Sequence, residues 1–188
     1  PKIVLEGGAI DVNGRGTCLT TSSCLLNTNR NGGLSAEKMG GYLKSYLGIK
    51  NVIWLDGALK GDDTDGHVDN LARFVNPTTI VYISEDNKDD ENYLGLKGIE
   101  ETLKKASDCD GKQFTVIPLP MPRAIEYKNF RLPASYANFY IGNNVVLVPA
   151  FNDPNDRIAQ EILKPCFPKK KIAPIDSRIL LKGKEGST

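Results

Sequence analysis

The sequence predicts an α/β fold assembled from repeated ββαβ units, and three observations carry that prediction. The hydrophobic period switches between that of a strand and that of a helix in the same order three times along the chain. The strand candidates are short, apolar and rich in β-branched residues, with cap and turn residues at their boundaries. The 188 residues are 40% hydrophobic and 25% charged, a globular composition with enough apolar surface for a core.

The first unit, roughly residues 1–60, follows a short apolar strand at 3–5 with strands at 9–12, 18–20 and 24–26, a helix over 35–47 and a strand at 52–55. Ser35 is its expected N-cap, Glu37 sits in its first turn, and Gly48 marks its end. The second unit, roughly 61–120, has strands at 67–75 and 79–83, an acidic loop, a helix over 93–106 and a strand at 114–117. The third, roughly 121–178, has strands at 136–141 and 145–149 joined by the turn Gly142-Asn143-Asn144. Its helix runs over 154–163, with Asp153-Pro154 as cap and first-turn proline, and its last strand lies at 171–173. Residues 179–181 read as a strand opening a further unit over 179–188, so the expectation is a single-domain fragment of a larger closed architecture.

Charge and motif counts exclude several function classes. Basic and acidic side chains number 24 and 23, which argues against a nucleic-acid partner, and Lys169-Lys170-Lys171 reads as a solvated lead-in to a strand. No apolar run approaches the roughly 20 residues of a membrane span and no signal peptide is recognisable, so no membrane partner and a cytoplasmic protein are expected. Cys18, Cys24, Cys109 and Cys166 lack Cys-x-x-Cys spacing and read as free, mostly structural thiols. A homo-oligomer is compatible with the sequence.

The most informative segment is Thr64-Asp65-Gly66-His67-Val68-Asp69-Asn70, which holds the only histidine. On a strand, Asp65, His67 and Asp69 would share one face. A lone imidazole between carboxylates suits proton transfer at a cationic substrate, and it equally suits a structural hydrogen-bonded pair. Asp62, Asp63, Asp65 and Asp69 add acids, but one imidazole with no thiolate partner gives no expectation of a metal site. Gly7-Gly8 allows either a close backbone approach or a simple bend, and Asn70 and Arg73 are candidates for orienting the acids.

Six stretches taken in order, Leu5-Glu6-Gly7-Gly8, Gly14-Arg15-Gly16-Thr17, the segment from Cys24 to Asn31, the segment from Thr64 to Phe74, Leu132-Pro133-Ala134-Ser135-Tyr136, and Val148-Pro149-Ala150-Phe151 with Asp153-Pro154-Asn155-Asp156, resemble the agmatine deiminases. The wider group is that of the bacterial-type peptidyl-arginine deiminases, among the guanidino-group-modifying enzymes. The resemblance covers essentially the whole chain and implies an α/β propeller (pentein) fold of five ββαβ blades, about three of them present here.

It also implies a chemistry: a cysteine thiolate attacks the guanidinium carbon of agmatine, ammonia leaves, and water hydrolyses the amidino-thioether to N-carbamoylputrescine. His67 matches the family's acid/base histidine, and Glu6 and Asp69 match acids of the site. Asp63 is at a position where the family often has an acid, for the distal amine. No metal and no cofactor are implied. None of the four cysteines matches the nucleophile, which is expected beyond Thr188, after the turn at 183–188; residues 1–188 alone are therefore expected to be inactive. A further family segment, containing a tryptophan, is expected upstream of Pro1, since Trp54 belongs to a different motif. The alternatives are a non-catalytic guanidinium- or amine-binding protein and a deiminase of free or peptidyl arginine.

Overall fold

The computed structural model describes residues 2–182, so the turn expected at 183–188 lies outside the described residues. In chain order the elements are β1 (Ile10–Val12), β2 (Thr17–Thr21), α1 (Ser22–Leu25), α2 (Thr28–Asn31), α3 (Ala36–Leu47) and β3 (Asn51–Leu55). There follow β4 (Ala72–Asn76), β5 (Thr79–Ser84), α4 (Tyr93–Lys105) and β6 (Thr115–Pro120), then the hairpin β7 (Ile125–Tyr127) and β8 (Phe130–Leu132). The last group is β9 (Tyr140–Ile141), β10 (Val145–Ala150), α5 (Asn155–Leu163), β11 (Lys171–Asp176) and α6 (Arg178–Lys182).

Three sheets of three strands repeat one topology. The first two strands pair antiparallel and the third pairs parallel with the second across a helix, in β1-β2-β3, β4-β5-β6 and β9-β10-β11 alike. A parallel neighbour needs a crossover, which α3, α4 and α5 supply. The expected ββαβ repeat is therefore borne out. The helices dock by narrow stripes: Met39 and Leu43 on α3, Leu96, Ile99 and Leu103 on α4, Ala159 and Leu163 on α5. Ser35 Oγ accepts from Lys38 N at 3.3 Å and Gly48 closes α3 at φ 69°, as its cap residues predict. Asp153 Oδ1 accepts from Asn155 N at 2.8 Å at the start of α5.

Five expected strands or strand segments differ. Residues 3–5 join no sheet; the Asn31 side chain takes the place of a strand, accepting from Val4 N at 2.9 Å and donating to Val4 O at 2.8 Å. Residues 24–26 belong to the turn of α1, because Thr21 Oγ1 accepts from Cys24 N and caps it. Residues 67–70 are not a strand: Asp65 (φ 60°) and Gly66 (φ 97°) turn the chain left-handed, and Val68–Asn70 forms a 3₁₀ turn before β4. Residues 136–139 form a turn, pinned where Ser135 Oγ donates to Asn70 O at 2.7 Å and accepts from Ala137 N at 3.1 Å. Residues 179–181 are helical, since Asp176 Oδ1 accepts from Arg178 N and Leu181 N bonds to Ser177 O. The β7-β8 hairpin was not expected; its turn residues Lys128 and Asn129 both have positive φ without the Asn-Gly signature.

Candidate active site

Three chain segments meet at the site: the stretch ahead of β1, the turns α1 and α2, and the loop from Asp62 to Asn70. Glu6 ends the extended lead-in to a 3₁₀ turn over Gly7–Ala9. The Asn27 side chain caps α2 by accepting from Asn29 N, which leaves Arg30 in its last turn. Thr21 Oγ1 donates to Gly66 O at 2.6 Å and Thr64 Oγ1 accepts from His67 N at 3.3 Å, so the loop carrying the imidazole is fixed at both shoulders.

Arg30 is the hub. Its Nε and Nη2 reach Glu6 Oε2 and Oε1 at 2.5 and 3.1 Å, a bidentate fork. Its Nη1 reaches Asp65 Oδ2 at 2.6 Å, and Nη2 also donates to Thr64 O at 3.1 Å. Asn29 Nδ2 adds a second bond to Asp65 Oδ2 at 2.9 Å. The bond from Arg30, helped by His67, holds the Glu6 carboxyl below its usual pKa; the bonds from Asn29 and Arg30 do the same for Asp65. Both carboxylates are ionised at neutral pH.

His67 stands beside this pair. Its Nε2 is buried and pairs with Glu6 Oε2 at 3.3 Å. Its Nδ1 and Asp69 Oδ2 both face Gly8, where an added Cβ would come within 2.5 and 2.7 Å of them. Of the two readings open for Gly7-Gly8, Gly8 is thus a close backbone approach, made to the site's own side chains. Cys24 Sγ points at Glu6 Oε2 from 3.7 Å. Burial pushes its thiol up to about 11, so at neutral pH it is a protonated thiol and not a ready nucleophile.

Glu6, His67 and Asp69 are thus drawn to one locus. Asp65 does not share a strand face with His67 but turns to Arg30, because the left-handed bend intervenes. Asp63 lines a cavity of about 120 Å³ with Phe130, Leu132 and Leu181. Asn70 is structural: its Oδ1 accepts from Asn138 and its carbonyl from Ser135. Arg73 pairs with Asp11 at 2.9 Å, donates to Phe139 O and stacks on the Phe139 ring, tying β4 to β1. Arg30 escaped the reading of the residues because its partners lie 24 and 35 positions away and no periodicity links them. The available signal was a lone cation amid Asn27, Asn29 and Asn31, of which Asn27 caps α2.

The repeated ββαβ units are those of an α/β propeller, so this is a protein of the pentein class. The profile of the Porphyromonas-type peptidyl-arginine deiminases matches residues 1–187, and the chain belongs to that family. It is 36% identical to the agmatine deiminase of Pseudomonas aeruginosa, with 96% of this chain and 54% of the relative aligned. A Cys-to-Ser variant of C. jejuni agmatine deiminase with substrate bound superimposes with a TM-score of 0.90 at 43% identity, covering 99% of this chain and 54% of the other. The agmatine deiminase of Enterococcus faecalis gives 0.92 at 34% identity, covering 97% and 55%. The chain spans about half the length of the curated relatives it matches. Among the described residues no helix is long and apolar enough to cross a membrane.

Proposed function

We propose that this chain carries the guanidinium-holding and proton-transferring part of an agmatine deiminase, a cytoplasmic enzyme yielding N-carbamoylputrescine and ammonia. The observation that carries the reading is that Glu6 already grips a guanidinium, that of Arg30, in a bidentate fork with an imidazole nitrogen 3.3 Å from the same carboxylate. A carboxylate offers about four lone-pair positions; Arg30 takes two, so a second guanidinium would take the place of the Cys24 thiol and His67 Nε2, which face Oε2 at 3.7 and 3.3 Å. The relatives' names and the substrate-bound structure support agmatine as that second guanidinium.

In this reading Glu6 and Asp69 hold the substrate guanidinium by charge-assisted bonds and fix its carbon in place. A cysteine thiolate adds to that carbon. His67, protonated, gives its proton to the departing nitrogen, and ammonia leaves. The neutral imidazole then takes a proton from water, which attacks the amidino-thioether carbon; the thiolate departs and N-carbamoylputrescine is released. The nucleophile in this reading is a cysteine outside residues 1–188, as the family resemblance implies; Cys24, beside Glu6, has its pKa pushed up to about 11 by burial. Asp63 receives the distal ammonium of agmatine, a group that arginine replaces by an α-amino acid.

Ammonia release from agmatine and from arginine, measured on the full gene product with His67→Ala as control, tests this. Agmatine-selective turnover lost in the variant is expected. Binding of agmatine with no turnover in the gene product would favour the guanidinium-binding alternative, and equal turnover of arginine would remove Asp63 from its role.

A further inference from the structure

The sequence pattern around His67 contains no thiolate partner, but the fold supplies one. Cys24 Sγ, Glu6 Oε2 and His67 Nε2 all lie within 4.8 Å of one another, with the sulfur 3.7 Å and the imidazole nitrogen 3.3 Å from the shared carboxylate oxygen. Zinc bond lengths of about 2.0 to 2.3 Å place neighbouring donors of a tetrahedron roughly 3.3 to 3.8 Å apart. Two of the three edges already have that length, and the third is no longer than 4.8 Å.

We propose that Glu6, Cys24 and His67 form a binding site for a soft divalent metal ion of the zinc class. Two further observations support it. His67 Nε2 is buried and already points at Glu6 Oε2 from 3.3 Å, so a metal held between them would replace that contact with two metal–ligand bonds. The other ring nitrogen, Nδ1, and Asp69 Oδ2 face the same Gly8 position, the kind of carboxylate neighbour that orients a ligating imidazole.

The donor set selects the metal. One thiolate, one imidazole and one carboxylate suit zinc, cobalt or cadmium, and they do not suit magnesium or calcium, which require oxygen donors. Three protein ligands leave the fourth position to water. Arg30 stays on the remaining lone pairs of Glu6, and its fork holds the carboxylate in place for the metal. A consequence that rests on the proposed function follows: the metal takes the Glu6 and His67 atoms that the substrate guanidinium needs, so metal and agmatine exclude each other.

Cobalt(II) titration of the reduced full gene product, followed by absorbance, tests the site. The expected result is one equivalent bound with a thiolate-to-cobalt charge-transfer band, bleached by zinc and unmoved by magnesium. The band is expected to vanish in Cys24→Ser and His67→Ala and to persist in Cys109→Ser, with circular dichroism confirming that each variant is folded. Glu6→Gln gives a second variant should Cys24→Ser fail to fold, and at least tenfold weaker binding is expected. A titration without the band, or a band that survives loss of Cys24 or His67, overturns the site. Cobalt bound as expected but undisturbed by saturating agmatine upholds the metal site and instead overturns the placement of substrate on Glu6.

Discussion

A Cβ on Gly8 would stand 2.5 Å from His67 Nδ1 and 2.7 Å from Asp69 Oδ2, and on Gly7 it would meet nothing within 4 Å. Two adjacent glycines of one motif are therefore different in kind. Gly8→Ala must push the imidazole and the carboxylate apart, and a displacement on the order of 1 Å in such a constellation costs about a hundredfold in rate. In the full gene product, kcat/KM for agmatine is expected to fall about that far in Gly8→Ala and to stay within a few fold in Gly7→Ala. Equal losses in both would show that backbone freedom, not the approach to His67 and Asp69, is what the motif supplies. The pair was visible in the sequence, but only the fold reveals which glycine has a neighbour, because that neighbour lies some sixty positions on.

At the scale of elements, Arg30 ties the end of α2 to the loop before β4 through Glu6 and Asp65. Both carboxyls have folded pKa values below their ordinary ones, so below about pH 4.5 the unfolded chain binds the more protons. The stabilisation they give is complete above their unfolded pKa values and is lost as pH falls through the depressed folded ones. Thermal midpoints measured from pH 6 downward are expected to drop more steeply in the native protein than in Arg30→Ala; parallel profiles would show that the clamp contributes no linkage.

The same elements show what the sequence made legible. Strands β2, β3, β5, β6 and β10 and helices α3, α4 and α5 stand where their periods and caps place them, since each buries a stripe or face that the pattern must encode. The failures share another cause. Residues 24–26, 67–70, 136–139 and 179–181 are short apolar or mixed runs whose conformation is decided by one side chain bonding to the backbone, that of Thr21, Thr64, Ser135 or Asp176. His67 and Asp69 were visible in their own segment, Glu6 came from a resemblance, and the three do converge. Arg30 and Cys24 joined them through tertiary packing that no local pattern records.

Across the whole molecule, the site lies on a seam between two bodies of packing. Val68 and Leu71, either side of Asp69, belong to the main core, which runs through Leu19, Ile53, Ile80, Ile99 and Val146. Ala9, Cys24 and Leu25 belong to a separate, smaller cluster with Cys18, Met39, Leu43 and Ile49 beneath α3. The sheet β1-β2-β3 separates them, with Leu19 and Leu55 facing the main core and Cys18 turned to α3. Segments with few buried apolar partners open at a fraction of the global unfolding free energy. Amides of α3 and of α1 are therefore expected to exchange hydrogen at least tenfold faster than those of β5, which the main core encloses. Glu6, Cys24 and Arg30 ride with the smaller cluster and His67 with the larger, so each opening of the former takes the carboxylate away from the imidazole. A guanidinium held by Glu6 and Asp69 spans the seam, and by mass action a ligand at 100 times its Kd stabilises the closed form by about 2.7 kcal/mol, close to a hundredfold in exchange. Hydrogen exchange with and without agmatine should show that slowing in α1 and α2, with β5 unchanged; uniform slowing, or none, would mean that the ligand does not bridge the two clusters.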